Sequence, residues 1–235
     1  MPGPFYQPPK DLPGQLRGCI PPDVMGDSLQ TKGQHSSREG CLFISGWAGY
    51  RVLFPGLSEL AGFILPGENK PGLGLKSALE QEWNTVAAWS LGAHLCLRHM
   101  QQIRAQKLVL AAPFLDFCSV TPRERVLAML SSLNRSPKTT VRWFWRLCGI
   151  KNPPAVPVND VQGLRKGLEL LMKSNVSPQS LRADIPVTII QGREDKIVPA
   201  RTAQNILEYL PQARLIFLPC GHFIPEKELI RAIDE

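Results

Sequence analysis

The sequence predicts an α/β fold: a mainly parallel sheet covered by helices on both faces and interrupted by a helical insertion. Two observations predict it. Six short apolar runs recur from residue 41 onward with helical stretches between several of them, and the interval 119–180 breaks that alternation with helical spacing alone. Runs that are apolar at nearly every position fit strands buried on both sides, and such strands need helical crossovers.

The runs lie at 41–47, 62–65, 83–89, 107–112, 186–191 and 214–218, with helices predicted over 91–105 and 200–210. Inside the insertion, 123–133 places Val126, Leu127, Leu130 and Leu133 at helical spacing. Ser136-Pro137 supplies an N-cap and first-turn pair for 138–150. A third helix, 158–173, carries Val161, Leu164, Leu168, Leu171 and Met172 on one stripe. An amphipathic insertion above the carboxyl ends of strands is where a lid sits. The folded domain is therefore expected to span 41–235, with its lid at about 119–180. In residues 1–40, thirteen positions are Pro or Gly, four cations offset four acids, and no period runs through. They read as a disordered or loosely draped tail.

A chain of 235 residues with 43% hydrophobic and 20% charged residues has material for one domain with a buried core. Mean hydropathy of −0.09 and the lack of a long uncharged apolar run exclude a membrane-spanning helix. The six cysteines (Cys19, Cys41, Cys96, Cys118, Cys148 and Cys220) form no C-x-x-C pair. Their scatter argues against a zinc site or disulfide framework and fits a reducing, cytoplasmic setting. The first residues show no basic stretch followed by an apolar one, so no secretory signal is read. No metal or organic cofactor is expected.

The chemistry concentrates at three strand ends. Residues 83–97, WNTVAAWSLGAHLCL, read as an apolar strand, Ser90, a Gly two residues later, and a helix. A serine on such a bend projects its hydroxyl from the sheet edge, and small residues two positions either side let strand and helix nearly touch. Here Ala88 stands where Gly is usual. Taken alone, the pentapeptide fits an ordinary helix N-cap serine as well. A serine nucleophile needs a base within hydrogen-bond reach. Of the four histidines, His35 lies in the tail, while His94 and His99 sit on the helix leading away from Ser90. His222 lies in a loop just after the last strand. The third group must orient the imidazole. Asp195 follows strand 186–191, with Glu194 and Asp116 as weaker substitutes. Ser90, Asp195 and His222 thus occur in the order Ser…Asp…His, each after a predicted strand. For the oxyanion, the amide of Leu91 follows the nucleophile, and Ser45-Gly46-Trp47-Ala48-Gly49 offers the Trp47 amide as second donor.

The stretches GWAG (46–49), WSLG (89–92), ERVLAML (124–130), GLELLMKSNV (167–176), G-x-x-D-x-x-V-P (192–199) and GHFIP (221–225) resemble those of α/β-hydrolases. Within that superfamily they are most similar to pimeloyl-acyl-carrier-protein methyl ester esterases of biotin synthesis, the BioH type. The resemblance implies Ser90 as nucleophile, Asp195 as orienting acid and His222 as base. It also implies that Trp47 and Leu91 border the acyl site, with Val126, Met129 and Leu130 facing it from the lid. Ala88 and Ser45 depart from the usual pattern. The first hairpin of a full hydrolase sheet is not readable in 1–40, and only residues 48–82 separate the first and third runs, so a reduced sheet is expected.

Within 121–155 seven cations stand against Glu124 alone, close to the whole chain's formal +7. Lys138, Arg142 and Arg146 fall at i, i+4, i+8 on one helix face. Like charges at that spacing destabilise an isolated helix by about 0.2–0.5 kcal/mol per pair, so an acidic partner is expected to compensate. The resemblance places carrier-contacting cations at Arg125, Lys138 and Arg142; the charge pattern adds Arg146. Trp143, Phe144 and Trp145 are explained by lid packing rather than nucleic-acid stacking. The expected molecule is a monomeric serine carboxylesterase acting on an acyl-carrier-protein methyl ester, with no nucleic acid and no membrane as partner. The rivals are a generic carboxylesterase or thioesterase on small acyl esters, and a non-catalytic hydrolase-fold binding protein.

Overall fold

The structure, a computed structural model, describes residues 40–60, 62–67, 74–182 and 184–235. The expected tail, apart from Gly40, lies outside the described residues. Six strands form one sheet: β1 (Cys41–Ile44), β2 (Gly62–Ile64), β3 (Glu82–Trp89), β4 (Arg104–Ala111), β5 (Val187–Gly192) and β6 (Arg214–Leu218). Their order is β2-β1-β3-β4-β5-β6, and every pairing is parallel. The register sets Ile44 beside Ala88, Trp89 beside Ala111 and Gly192 beside Leu218, which brings the carboxyl ends to one edge.

The helices are α1 (Pro55–Leu60), α2 (Leu75–Leu79), α3 (Leu91–Arg98), α4 (Arg123–Arg135), α5 (Pro137–Leu147), α6 (Val161–Lys173), α7 (Arg201–Leu207) and α8 (Glu226–Asp234). Strand residues alternate between two cores, as a pleated sheet covered on both faces requires. Phe43, Ala87, Trp89, Val109 and Ile190 join one cluster with residues of α4, α5, α6 and α8. Leu42, Ile44, Val86, Leu108 and Ile189 join the other with residues of α3 and α7. Among the described residues no helix is long and apolar enough to cross a membrane.

Several boundaries differ from the sequence reading, each for a local reason. The run 41–47 pairs only as far as Ile44, because the chain then turns, with the Gly49 amide donating to Gly46 O at 3.1 Å. Helix 91–105 stops at Arg98; a 3-10 turn at Met100–Gln102 follows, and Arg104 is already paired with Glu82 in the sheet. The third insertion helix begins at Val161 instead of 158, capped by the Asp160 carboxylate, which accepts from the Gly163 amide at 2.8 Å. Pro137 does occupy the first turn of α5, but the Ser136 hydroxyl donates to Thr139 Oγ1 rather than capping a backbone amide. Phe144 and Trp145 are buried as packing predicts, whereas Trp143 is 52% exposed.

His94 ties α3 to the end of α6. A carbonyl only accepts, so Nδ1 carries the proton and donates to Phe114 O at 3.0 Å, leaving Nε2 to accept from Ser174 Oγ at 2.7 Å. Arg98 donates to the same hydroxyl at 2.8 Å, and the imidazole stacks on Phe114. Burial, reinforced by the Arg98 charge, lowers the His94 pKa from 6.5 to about 4. Between those values the unfolded chain binds a proton that the folded chain refuses. Stability therefore falls as pH drops through that window, by roughly 3 kcal/mol in total, and levels off below it. In His94→Asn, urea-unfolding midpoints measured from pH 7 to pH 4 are expected to lose this part of the slope.

Candidate active site

Three non-glycine residues among those described have left-handed backbone: Ala48, Ser90 and Ala112. Each such conformation costs of order 1–3 kcal/mol and persists only when its surroundings impose it. At Ser90 (φ 55°, ψ −116°) the imposition is visible. Its amide donates to Ala111 O on β4 at 2.8 Å, and its carbonyl accepts from the His94 amide at 2.9 Å. The following helix passes so close to β1 that a Cβ on Gly92 would lie 2.1 Å from Ile44 O. Ala88, paired with Ile44, is fully buried in β3 and fits there with its methyl.

The three strand-end residues meet. The Ser90 hydroxyl lies 2.8 Å from His222 Nε2, and His222 Nδ1 lies 2.7 Å from Asp195 Oδ2. With the carboxylate accepting from Nδ1–H, Nε2 is left as the acceptor for the serine proton. Asp195 Oδ1 accepts from the Ile197 and Val198 amides, both at 2.8 Å, and Oδ2 also accepts from Gln191 Nε2 at 3.1 Å. Four donors thus fix one buried carboxylate. Glu194 is exposed, and Asp116 accepts from the Cys118 amide instead. His94 belongs to its own network and His99 is half-buried.

His222 and Asp195 are held from behind by two features that sequence reasoning did not single out. Trp89 donates its indole N–H to His222 O at 2.8 Å, its ring centroid 5.5 Å from the imidazole. Gln191 anchors the acid loop from the end of β5, bonding both Asp195 and Val198 O. A lone amide side chain closing an apolar strand was the available signal for Gln191. The two loops also need Gly192, where a Cβ would lie 2.1 Å from Gly221 O.

The loop after β1 abuts the serine: a Cβ on Gly46 would lie 3.0 Å from Ser90 Cβ. Ser45 braces this loop itself, its hydroxyl donating to Gly49 O at 2.5 Å. Among the described residues, neither the Trp47 nor the Leu91 amide is hydrogen-bonded within the protein. Trp47 donates its indole N–H to Leu164 O on α6 at 2.8 Å and meets Phe144 edge-on at 4.8 Å. Gly167 makes room for that indole, since its Cβ would stand 2.6 Å from Trp47 Cδ1. Val126 is buried in the cluster containing Trp47 and Leu91, and Met129 and Leu130 pack partly buried against it. Arg125, Lys138, Arg142 and Arg146 are all exposed. Beside the loop, Ala48, Arg51, Phe63, Leu65, Pro157 and Leu164 help line a cleft of about 300 Å³. The serine is only 5% exposed and His222 is fully buried.

A serine, an imidazole and a carboxylate in line at the carboxyl edge of a parallel sheet define a serine hydrolase of the α/β-hydrolase class. The serine hydrolase (FSH1) family matches residues 78–232, and the chain belongs to that family. The chain is 25% identical over 225 residues to a pimeloyl-[acyl-carrier protein] methyl ester esterase of Nitrosomonas europaea, covering 77% of this chain and 87% of that one. In fold it is similar to an esterase from Exiguobacterium antarcticum, with a TM-score of 0.64, 17% identity, and 83% and 92% of the two chains covered. A thermophilic esterase from Thermogutta terrifontis gives 0.59 at 14% identity, over 82% and 86%. The molecule is therefore a serine hydrolase with the α/β-hydrolase fold.

Because the Gly92 approach involves backbone on both sides, Gly92→Ala is expected to cost about 1–3 kcal/mol. Thermal denaturation would register the loss, and a midpoint equal to wild type would contradict the close approach.

Proposed function

We propose that this chain is a carboxylesterase that cleaves the methyl ester of a pimeloyl group held on acyl carrier protein, with Ser90 as nucleophile. The chemistry rests on one observation, the unbroken line Ser90–His222–Asp195 with links of 2.8 and 2.7 Å. Ser90 Oγ attacks the ester carbonyl as its proton passes to His222 Nε2, and Asp195 stabilises the imidazolium that forms. The tetrahedral oxyanion takes the amides of Leu91 and Trp47. Methanol leaves with the proton from His222. A water, deprotonated by the same imidazole, then attacks the acyl-serine and releases the carboxylate.

Ser90 is only 5% exposed, so the acyl group reaches it along a narrow path beneath α4, α5 and α6. Val126, Met129 and Leu130 then line the acyl path together with Trp47 and Leu91. Arg125, Lys138, Arg142 and Arg146 form the cationic face that receives the acidic carrier, holding its thioester away from Ser90. The named activity of the Nitrosomonas europaea relative supports this substrate, as does the exposure of all four cations. Electrostatic docking of this kind weakens as salt rises.

Ser90→Ala is expected to lower ester hydrolysis about 10³-fold or more and to abolish labelling by a fluorophosphonate. A wild-type protein that takes no label would refute the nucleophile. Reversing Lys138, Arg142 and Arg146 to Glu is expected to raise KM for the carrier substrate at least about tenfold while sparing a nitrophenyl ester. Equal activity on both substrates after reversal would leave a general carboxylesterase without a carrier.

A further inference from the structure

We propose that Trp145 is a positioning residue for the oxyanion site, its indole N–H setting the direction of the Trp47 amide through one intervening peptide unit. The inference rests on the reading of that amide as an oxyanion donor. Trp145 is fully buried near the end of α5 and donates Nε1–H to Ala48 O at 2.9 Å, across 97 residues of chain. Its ring also meets Tyr50 edge-on, at 6.2 Å between centroids. The acceptor is unusual. Ala48 has φ +52°, a left-handed conformation that its Cβ disfavours, so an outside contact has to hold it.

A trans peptide points its C=O and N–H to opposite sides, and this turns one hydrogen bond into a chain of them. Ala48 O and the Gly49 N–H belong to one peptide unit. With the oxygen held by Trp145, the N–H is directed back into the loop, where it donates to Gly46 O at 3.1 Å. Gly46 O in turn belongs to the unit that carries the Trp47 N–H. Holding that oxygen inward sends the Trp47 N–H the other way, and no described group within the protein accepts it. The series therefore runs from the lid indole through the 48–49 and 46–47 units to the free amide. Its dipoles are aligned head to tail, so each bond polarises the next. If the 48–49 unit rotated, the buried indole N–H would lose its acceptor and Ala48 its restraint together. Ser45, which bonds Gly49 O, braces the loop further along but does not touch the 48–49 oxygen.

A tryptophan that only fills space makes a different prediction from one that holds a peptide. Trp145→Phe keeps an aromatic ring and deletes the N–H. The expected result is a fall of about tenfold in kcat for a nitrophenyl ester, with KM within about threefold of wild type. Affinity for a trifluoromethyl ketone, which forms a tetrahedral oxyanion on Ser90, is expected to fall in step with kcat/KM. Adding Ala48→Gly removes the backbone penalty, so the double variant is expected to regain at least about threefold in kcat over Trp145→Phe alone. Unchanged kcat, unchanged ketone affinity, or no gain from Ala48→Gly would each overturn the proposal. Should Trp145→Phe fail to fold by circular dichroism, site-specific 3-benzothienylalanine at 145 keeps the ring shape without the N–H and carries the same expectations. Fluorophosphonate labelling of the wild type separates the two ideas. A protein that does not label defeats the nucleophile reading, whereas a labelled protein indifferent to the loss of the N–H defeats only the positioning role.

Discussion

Left-handed backbone at Ser90 is tolerated because three neighbours close on it at once: the Ala111 carbonyl from β4, the Ile44 carbonyl against Gly92, and the first turn of α3. Much else follows from that bend. It lifts the hydroxyl off the sheet edge, starts α3 at Leu91 with an amide that no described residue accepts, and places Trp89, the residue before it, under His222. One local conformation therefore aims the Ser90 hydroxyl, leaves the Leu91 amide without an acceptor among the described residues and supports His222. The strained residue is stable where it is because the sheet register fixes β1 and β4 on either side of β3.

Burial gives the site its electrical character. His222 and Asp195 are both withdrawn from water, and the carboxylate is met by two backbone amides, a glutamine amide and the imidazole. A charge so enclosed interacts more strongly with its neighbours than it would in water, and it needs all of its donors to remain there. The helices α4, α5 and α6 maintain the enclosure through polar ties as well as apolar packing. Besides the two indole bonds, the Cys148 carbonyl just beyond α5 accepts from the Phe223 amide, one residue from His222. Thr121, ahead of α4, donates to Ile197 O in the acid loop.

The parallel sheet was legible because the carboxyl-terminal halves of its long strands are apolar at nearly every position, as double covering requires, whereas β3 and β4 begin with polar, partly exposed residues. Ser90, Asp195 and His222 stood out because each lies at or shortly after the end of such a run. Boundaries were harder where one pattern overlies two structures. Residues 45–47 are small or apolar and look like more strand until the turn at Gly46 and Gly49 is known. Helical spacing likewise persists through Met100 into the 3-10 turn after α3. Trp143 misled because an aromatic within Trp-Phe-Trp looks like core, yet consecutive helix positions point about 100° apart and cannot all face inward. The bond between Trp145 and Ala48 left no trace in spacing, since nothing in a linear pattern pairs residues 97 positions apart.

The exposure of Trp143 gives the molecule a built-in optical gauge. Trp47, Trp89 and Trp145 are sealed inside and Trp83 is half-buried, so Trp143 dominates the fluorescence that a dissolved quencher can reach. Arg142 and Arg146 draw iodide toward it, which makes its light more sensitive to anions than a neutral setting would. Anything that settles on the outer side of α5 must shield that indole, and its arrival can be timed without attaching a dye.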